Sequence, residues 1–308
     1  MAEKRTLQHA PVAARVVGRI GRHLRWARSD GVGRLIEEDN LDPRARLSAA
    51  LARRRWRREH PQPPGSATTV LLVGVQRSGT NMVVRGLEQS PEFEVHNEND
   101  RQMFSRYLLR DDAVVRAAIE RSRQRFVLLK PLCDSHRTPE LLAALATTSP
   151  ARALWAYRSA DGRARSAVAK FGDANRQILR RIAAGDAEDS WQAQRLSDES
   201  REIIGSFDFD ALDAVSAAAL FWYVRNSLYF DLGLDRRDDV ALVSYDAFVA
   251  DPPTVMGAIA EFLGIENDPA LSAHVAPRAT EADRAELEPR IRALCTDLEL
   301  RLGKAITK

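Results

Sequence analysis

The chain of 308 residues reads as a three-layer α/β protein on a central, mainly parallel, five-stranded sheet. Three observations predict this. Five short apolar runs have strand character, and helical patterns separate them. The first run breaks into a glycine-containing loop that opens directly onto a helix. Alternating strands and helices imply right-handed βαβ units and a parallel sheet.

The elements follow in order. Residues 1–65 form a basic, helical extension with 15 Lys and Arg against 7 Asp and Glu, a net charge of +8; the whole chain is +3, which leaves −5 for the rest. The excess peaks at Arg53-Arg54-Arg55-Trp56-Arg57-Arg58. Such a block is read as a solvated helix face or as a weak contact for an anionic membrane; no nucleic-acid partner is expected. Val16, Val17, Ile20 and Leu24 recur at helical spacing and suit packing on a domain. Pro61, Pro63, Pro64 and Gly65 make a linker, so residues 66–308 are expected to be the main domain.

Predicted strands are Val70–Val75, Phe93–His96, Phe126–Lys130, Ala153–Tyr157 and Val240–Ser244. After the first, a helix is expected from Asn81 to just before Pro91. A long helical stretch, Phe171–Phe230, precedes the last strand. Its aromatics Trp222, Tyr223 and Tyr229 read as core, and Trp191, in a polar run, as core or as a mobile cover. A final helix is expected from Thr280 or Glu281, with Leu287, Ile291, Leu294, Leu298 and Leu302 on one stripe.

Composition narrows the function classes. With 44% hydrophobic and 29% charged residues the chain is ordinary for a globular protein. It lacks an apolar run of about 18 residues and an N-terminal apolar h-region, so neither a membrane helix nor a secretory signal is predicted. Cys133 and Cys295 lie far apart and read as two buried thiols in a reducing cytoplasm. Six histidines without paired spacing argue against a zinc site, and no acidic pair ends a predicted strand to hold a metal.

The chemistry concentrates in Gly74-Val75-Gln76-Arg77-Ser78-Gly79-Thr80. Strand, tight loop and helix N-terminus form a binding place for a multiply charged anion. A nucleotide-triphosphatase loop has the same glycine spacing, but its Lys is replaced here by Thr80. The remaining cation is Arg77. Open parallel sheets bind ligands at the carboxyl ends of their strands, and each predicted end carries polar residues: Arg77 to Asn81, Glu98, Lys130, Arg158, and Ser244 with Tyr245.

Three motifs in order carry a resemblance: Arg77-Ser78-Gly79-Thr80; Arg158 followed eight residues later by Ser166; and the run from Val240 to Pro253. Together they resemble the bacterial, P-loop-containing sulfotransferases that use 3′-phosphoadenosine-5′-phosphosulfate (PAPS). The resemblance runs from about Val70 to about Gly264 and implies a P-loop-kinase-like fold. It implies that Arg77, Ser78, Gly79, Thr80 and Asn81 grip the 5′-phosphosulfate, and that Arg158 and Ser166 hold the 3′-phosphate, with Arg278 reaching it from a late loop. The family's glycine-rich late motif is absent. Lys130 is implied beside the leaving bridging oxygen. The family's general base corresponds either to Glu98, after the second strand, or to His136, after the third; the gap from Lys130 to His136 is six where cytosolic members have two, and Glu98 is favoured. The implied function is metal-independent transfer of a sulfuryl group to a hydroxyl or amine of a small-molecule, carbohydrate or lipid acceptor. The rival readings are a P-loop kinase and a non-catalytic nucleotide-binding or membrane-docking protein.

Overall fold

Val70, Leu71, Leu72 and Val73 are fully buried, as expected of a strand covered on both faces. In the computed structural model, which describes residues 43–279 and 284–306, they lie in the middle strand of a five-stranded sheet. The strands are β1 (Thr68–Gly74), β2 (Phe93–His96), β5 (Phe126–Leu129), β6 (Arg152–Tyr157) and β7 (Val240–Ser244); β3 (Phe104–Ser105) and β4 (Leu108–Leu109) form a small antiparallel hairpin. Spatial order is β2-β5-β1-β6-β7, and all four pairings are parallel. Each predicted strand is present with its ends shifted by at most two residues. Lys130 falls just past β5, although its N–H still bonds to the His96 carbonyl at 3.2 Å.

The pleat sorts side chains onto two faces with period two. Leu71, Val73, Val127, Leu129 and Trp155 pack into one core with helices α5 (Ala160–Phe171), α6 (Ala174–Ala183), α7 (Asp198–Gly205), α8 (Ala214–Asp231) and α11 (Pro289–Ile306). Val70, Leu72, Leu128, Leu154 and Phe93 pack into the other, with α2 (Thr80–Leu87) and α10 (Pro252–Leu263). Phe93 stacks on Phe126 across that face at 4.8 Å. Helices α1 (Pro43–Glu59), α3 (Asp112–Glu120), α4 (Thr138–Ala144) and α9 (Tyr245–Ala250) complete the set. The α8 sequence is apolar nearly all round, which suits an interior helix, and Trp222, Tyr223 and Tyr229 are buried there as predicted.

Three expectations need correction. The stretch Phe171–Phe230 is not one helix: α6, α7 and α8 are separated by Ala184–Ser197 and by Ser206–Asp213. Gly185 and Arg195, both with positive φ, interrupt the first of these connections. Trp191 is no exposed cover; it packs edge-on against Phe221 at 6.3 Å and lies under the Arg225 guanidinium at 5.3 Å. The last helix begins at Pro289, a residue suited to a helix's first position, so Leu287 precedes it; Ile291, Leu298 and Leu302 are buried as expected. Thr280 and Glu281 lie outside the described residues, as do Val16, Val17, Ile20 and Leu24. Among the described residues no helix is long and apolar enough to cross a membrane.

Candidate functional site

β1 ends at Gly74, whose φ of +120° and close approach to the Ala156 carbonyl leave no room for a side chain; a Cβ there would sit 2.2 Å from that oxygen. The chain then turns through Arg77 (φ +73°) and Gly79 (φ +79°) into α2, which starts at Thr80, one residue before the predicted Asn81. The Met82 N–H bonds to the Gly79 carbonyl. The amides before it have no acceptor within the helix. Ser78 is buried, and its hydroxyl has no partner within the protein.

The two sequence motifs meet here. Arg77 Nε donates to Ser166 Oγ at 3.0 Å, although 89 residues separate them. Arg158 leaves the end of β6 and stacks over the Tyr245 ring at 4.4 Å, with its buried Nε unpartnered. Arg278 Nη2 donates to Tyr245 Oη at 2.7 Å. Burial lowers the Arg158 pKa, and Arg77 and Arg278 push it the same way, while Tyr245 and Asp246 oppose this. Three cations thus share one field, an arrangement that favours an anion. A cavity of about 890 Å³ adjoins Arg158 and Arg278 and is lined among others by Gly162, Arg165 and Tyr245.

On the other side of β1, Lys130 and Glu98 come together. Lys130 Nζ donates to Asn81 Oδ1 at 2.8 Å and lies 3.9 Å from Glu98 Oε2. Burial lowers the Lys130 pKa and raises that of Glu98, and each charge partly offsets the other's shift. Lys130 therefore joins the carboxylate to the first turn of α2. His136 is placed apart from this pair in its interactions. It sits in the 3₁₀ segment Leu132–Arg137, with Nδ1 buried and unpartnered, and burial together with Arg225 and Arg137 holds its pKa down at about 4. His96 bonds instead to Asp100 and Glu94.

Tyr245 was only one of several polar strand ends in the sequence, yet it organises the site. A Cβ on Gly79 would meet its Cδ2 at 2.1 Å, so the ring lies directly against the loop. Nothing in the local sequence distinguishes it from Ser244, because its partners lie far away in the chain. Two fully buried arginines, Arg163 and Arg225, were likewise not foreseen. Among the described residues no group of three or more His, Cys, Asp and Glu side chains is placed to hold a metal ion.

The chain matches the family model described as sulfotransferase domain over residues 67–285. It belongs to the sulfotransferase family. No curated protein sequence matches it. Three similar solved structures are those of bacterial sulfotransferases. One is from Alicyclobacillus acidocaldarius (17% identity, 80% of this chain and 96% of that one, TM-score 0.44). Another is the sulfotransferase domain of the Synechococcus PCC 7002 olefin synthase (14%, 80% and 98%, TM-score 0.39). A third is STF9 of Mycobacterium avium (14%, 89% and 90%, TM-score 0.39). The matched residues contain the loop, the Lys130–Glu98 pair, Arg158, Ser166 and Arg278, so this sulfotransferase carries its whole candidate site within the family region.

Proposed function

We propose that this sulfotransferase takes its sulfuryl group from PAPS and passes it, without a metal ion, to a hydroxyl or amine of a small-molecule, carbohydrate or lipid acceptor. The observation that carries the reading is the bond from Arg77 to Ser166, which joins the loop and the Arg158 motif into one two-part anion site. The buried, unpartnered Ser78 Oγ and Arg158 Nε are donors left for a ligand. The residues fit the donor: the 77–81 loop would hold the 5′-phosphosulfate, and Arg158, Ser166 and Arg278 the 3′-phosphate.

PAPS supplies an activated sulfuryl group with a single negative charge, for which fixed cations and amides suffice. Arg77 and the loop amides orient that end of the site. Lys130, tied to Asn81, is a cation ready to meet negative charge on the leaving oxygen. Glu98, with its pKa raised by burial, is the acceptor's general base. His136 is left out of this role because the charges around it are Arg225, Arg137, Glu140 and Arg195 rather than Glu98 or Lys130.

The test is thermal stabilisation of the full chain. Adenosine 3′,5′-bisphosphate is expected to raise Tm far more than ATP, with or without Mg²⁺; equal or greater stabilisation by Mg-ATP would replace this reading with a P-loop kinase. Arg158→Ala should weaken the bisphosphate by about 1.5–3 kcal/mol and leave adenosine 5′-monophosphate nearly unchanged. An acceptor panel with labelled PAPS then identifies the second substrate.

A further inference from the structure

Arg163 is 1% exposed and has no acidic partner among the described residues. Its Nε donates to the Gln76 carbonyl at 3.2 Å, and its Nη1 to Asn175 Oδ1 and the Ala218 carbonyl, both at 2.9 Å. The guanidinium lies 5.0 Å from the centre of the Phe221 ring. The charged neighbour it senses is Arg77, another cation, and burial with that repulsion holds its pKa down at about 9. A guanidinium buried without a counter-ion is unfavourable unless something compensates it. A leucine or methionine would fill this place between α5, α6 and α8 at no such cost. Two features explain its presence. Gln76, whose carbonyl it grips, immediately precedes Arg77. Ser166, the partner of Arg77, lies one helical turn further along α5, on the same face. One face of one helix thus holds the loop at two successive residues.

We infer that Arg163 is a positioning residue of the anion site. It turns the Gln76 oxygen toward the core, fixes the left-handed turn at Arg77, and adds positive charge behind the loop without touching the bound anion. This rests on the anion-binding reading of the loop and adds that donor affinity depends on a side chain in the protein interior.

The test compares full-length Arg163→Lys and Arg163→Gln with the wild type, their folding confirmed by near-ultraviolet circular dichroism. Calorimetry measures the Kd of adenosine 3′,5′-bisphosphate and of inorganic pyrophosphate at two salt concentrations. A point charge several ångströms behind the anion gives a loss of about tenfold or more for Arg163→Gln, with weaker salt dependence. Arg163→Lys, which keeps the charge and one donor, should stay within about threefold of wild type. Wild-type affinity in Arg163→Gln, or equal losses in both variants, overturns the proposal, because a purely packing role depends on shape and not on charge. If Arg163→Gln does not fold, Asn175→Ala takes its place, since it unties one Nη1 anchor at a half-buried position. The expectation is then a loss of about two- to fivefold, and unchanged affinity overturns the proposal. Should the wild type bind pyrophosphate but not the bisphosphate, the donor reading fails and the Arg163 comparison is read on pyrophosphate. Binding of neither sinks the proposal, because the loop would then have no anion to serve.

Discussion

Gly79→Ala tests the joint between loop, Tyr245 and arginines in one step. Gly79 has φ +79°, where a Cβ costs about 1–2 kcal/mol. That Cβ would also lie 2.1 Å from Tyr245 Cδ2, so the ring must move. Its movement breaks the Arg158 stacking at 4.4 Å and the 2.7 Å bond from Arg278. A half-buried cation–π contact and one hydrogen bond are each worth about 0.5–1.5 kcal/mol. The whole is roughly 2–5 kcal/mol, or a fall in Tm of roughly 3–8 °C for a chain of this size. Gly185→Ala is the control: φ is +74° and nothing lies within 4 Å of the added atom, so only the backbone cost applies. Differential scanning calorimetry reads the stability difference, and isothermal titration with adenosine 3′,5′-bisphosphate reads the site. Gly79→Ala should lose both stability and affinity, Gly185→Ala only stability. Equal melting temperatures with unchanged affinity in both would refute the placement of Tyr245 against the loop.

Glu98→Gln should lower kcat by about 10²–10⁴-fold with little change in donor affinity, and His136→Ala should cost much less; the reverse order in acceptor assays moves the base to His136. His136, held at about 4 against an ordinary 6.5, refuses a proton that the unfolded chain accepts, so stability should decline as pH falls from about 6.5 toward about 4. His136→Leu should flatten that decline in urea-unfolding midpoints, and an unaltered pH slope would count against the buried, neutral imidazole. We propose that the basic extension is separable from the sheet domain. Deletion of residues 1–60 should leave a soluble, stable product that loses only its binding to phosphatidylserine vesicles, a salt-sensitive interaction of about 1 kcal/mol per basic residue at most; aggregation of the product would mean instead that the segment belongs to the fold.

The sheet was legible in the sequence because its strands are short, apolar and bounded by breakers. Val70 to Val73 and Phe126 to Leu129 have no other plausible place than a buried strand. The loop and the Arg158–Ser166 spacing were legible for a related reason, since their geometry is local. What escaped is non-local. Tyr245 meets Gly79, Arg158 and Arg278 across the fold, and Arg163 finds Gln76 and Ala218 only once α5 and α8 are packed. In sequence, Arg163 reads as one charge in a run containing Arg158 and Arg165, where a solvated helix face is the ordinary expectation. The helix ends from Phe171 to Phe230 were missed because polar turns such as Ala184–Ser197 keep enough helical character to hide the break.

The order of strands has a consequence for how such an enzyme can change. The loop, Arg158 and Tyr245 stand at the ends of β1, β6 and β7, while Glu98 and Lys130 stand beyond β2 and β5 on the opposite side of β1. The loop and arginines assigned to the nucleotide's phosphates and the base assigned to the incoming nucleophile therefore hang from different halves of one rigid platform, with Lys130, assigned to the leaving oxygen, on the half that carries the base. Substitutions, insertions or exchanged loops on the β2–β5 half can retune which molecule is modified while the nucleotide grip stays intact. A chimera that takes its β2-to-β5 connections from another sulfotransferase should therefore inherit the other enzyme's choice of acceptor and keep its own affinity for the nucleotide.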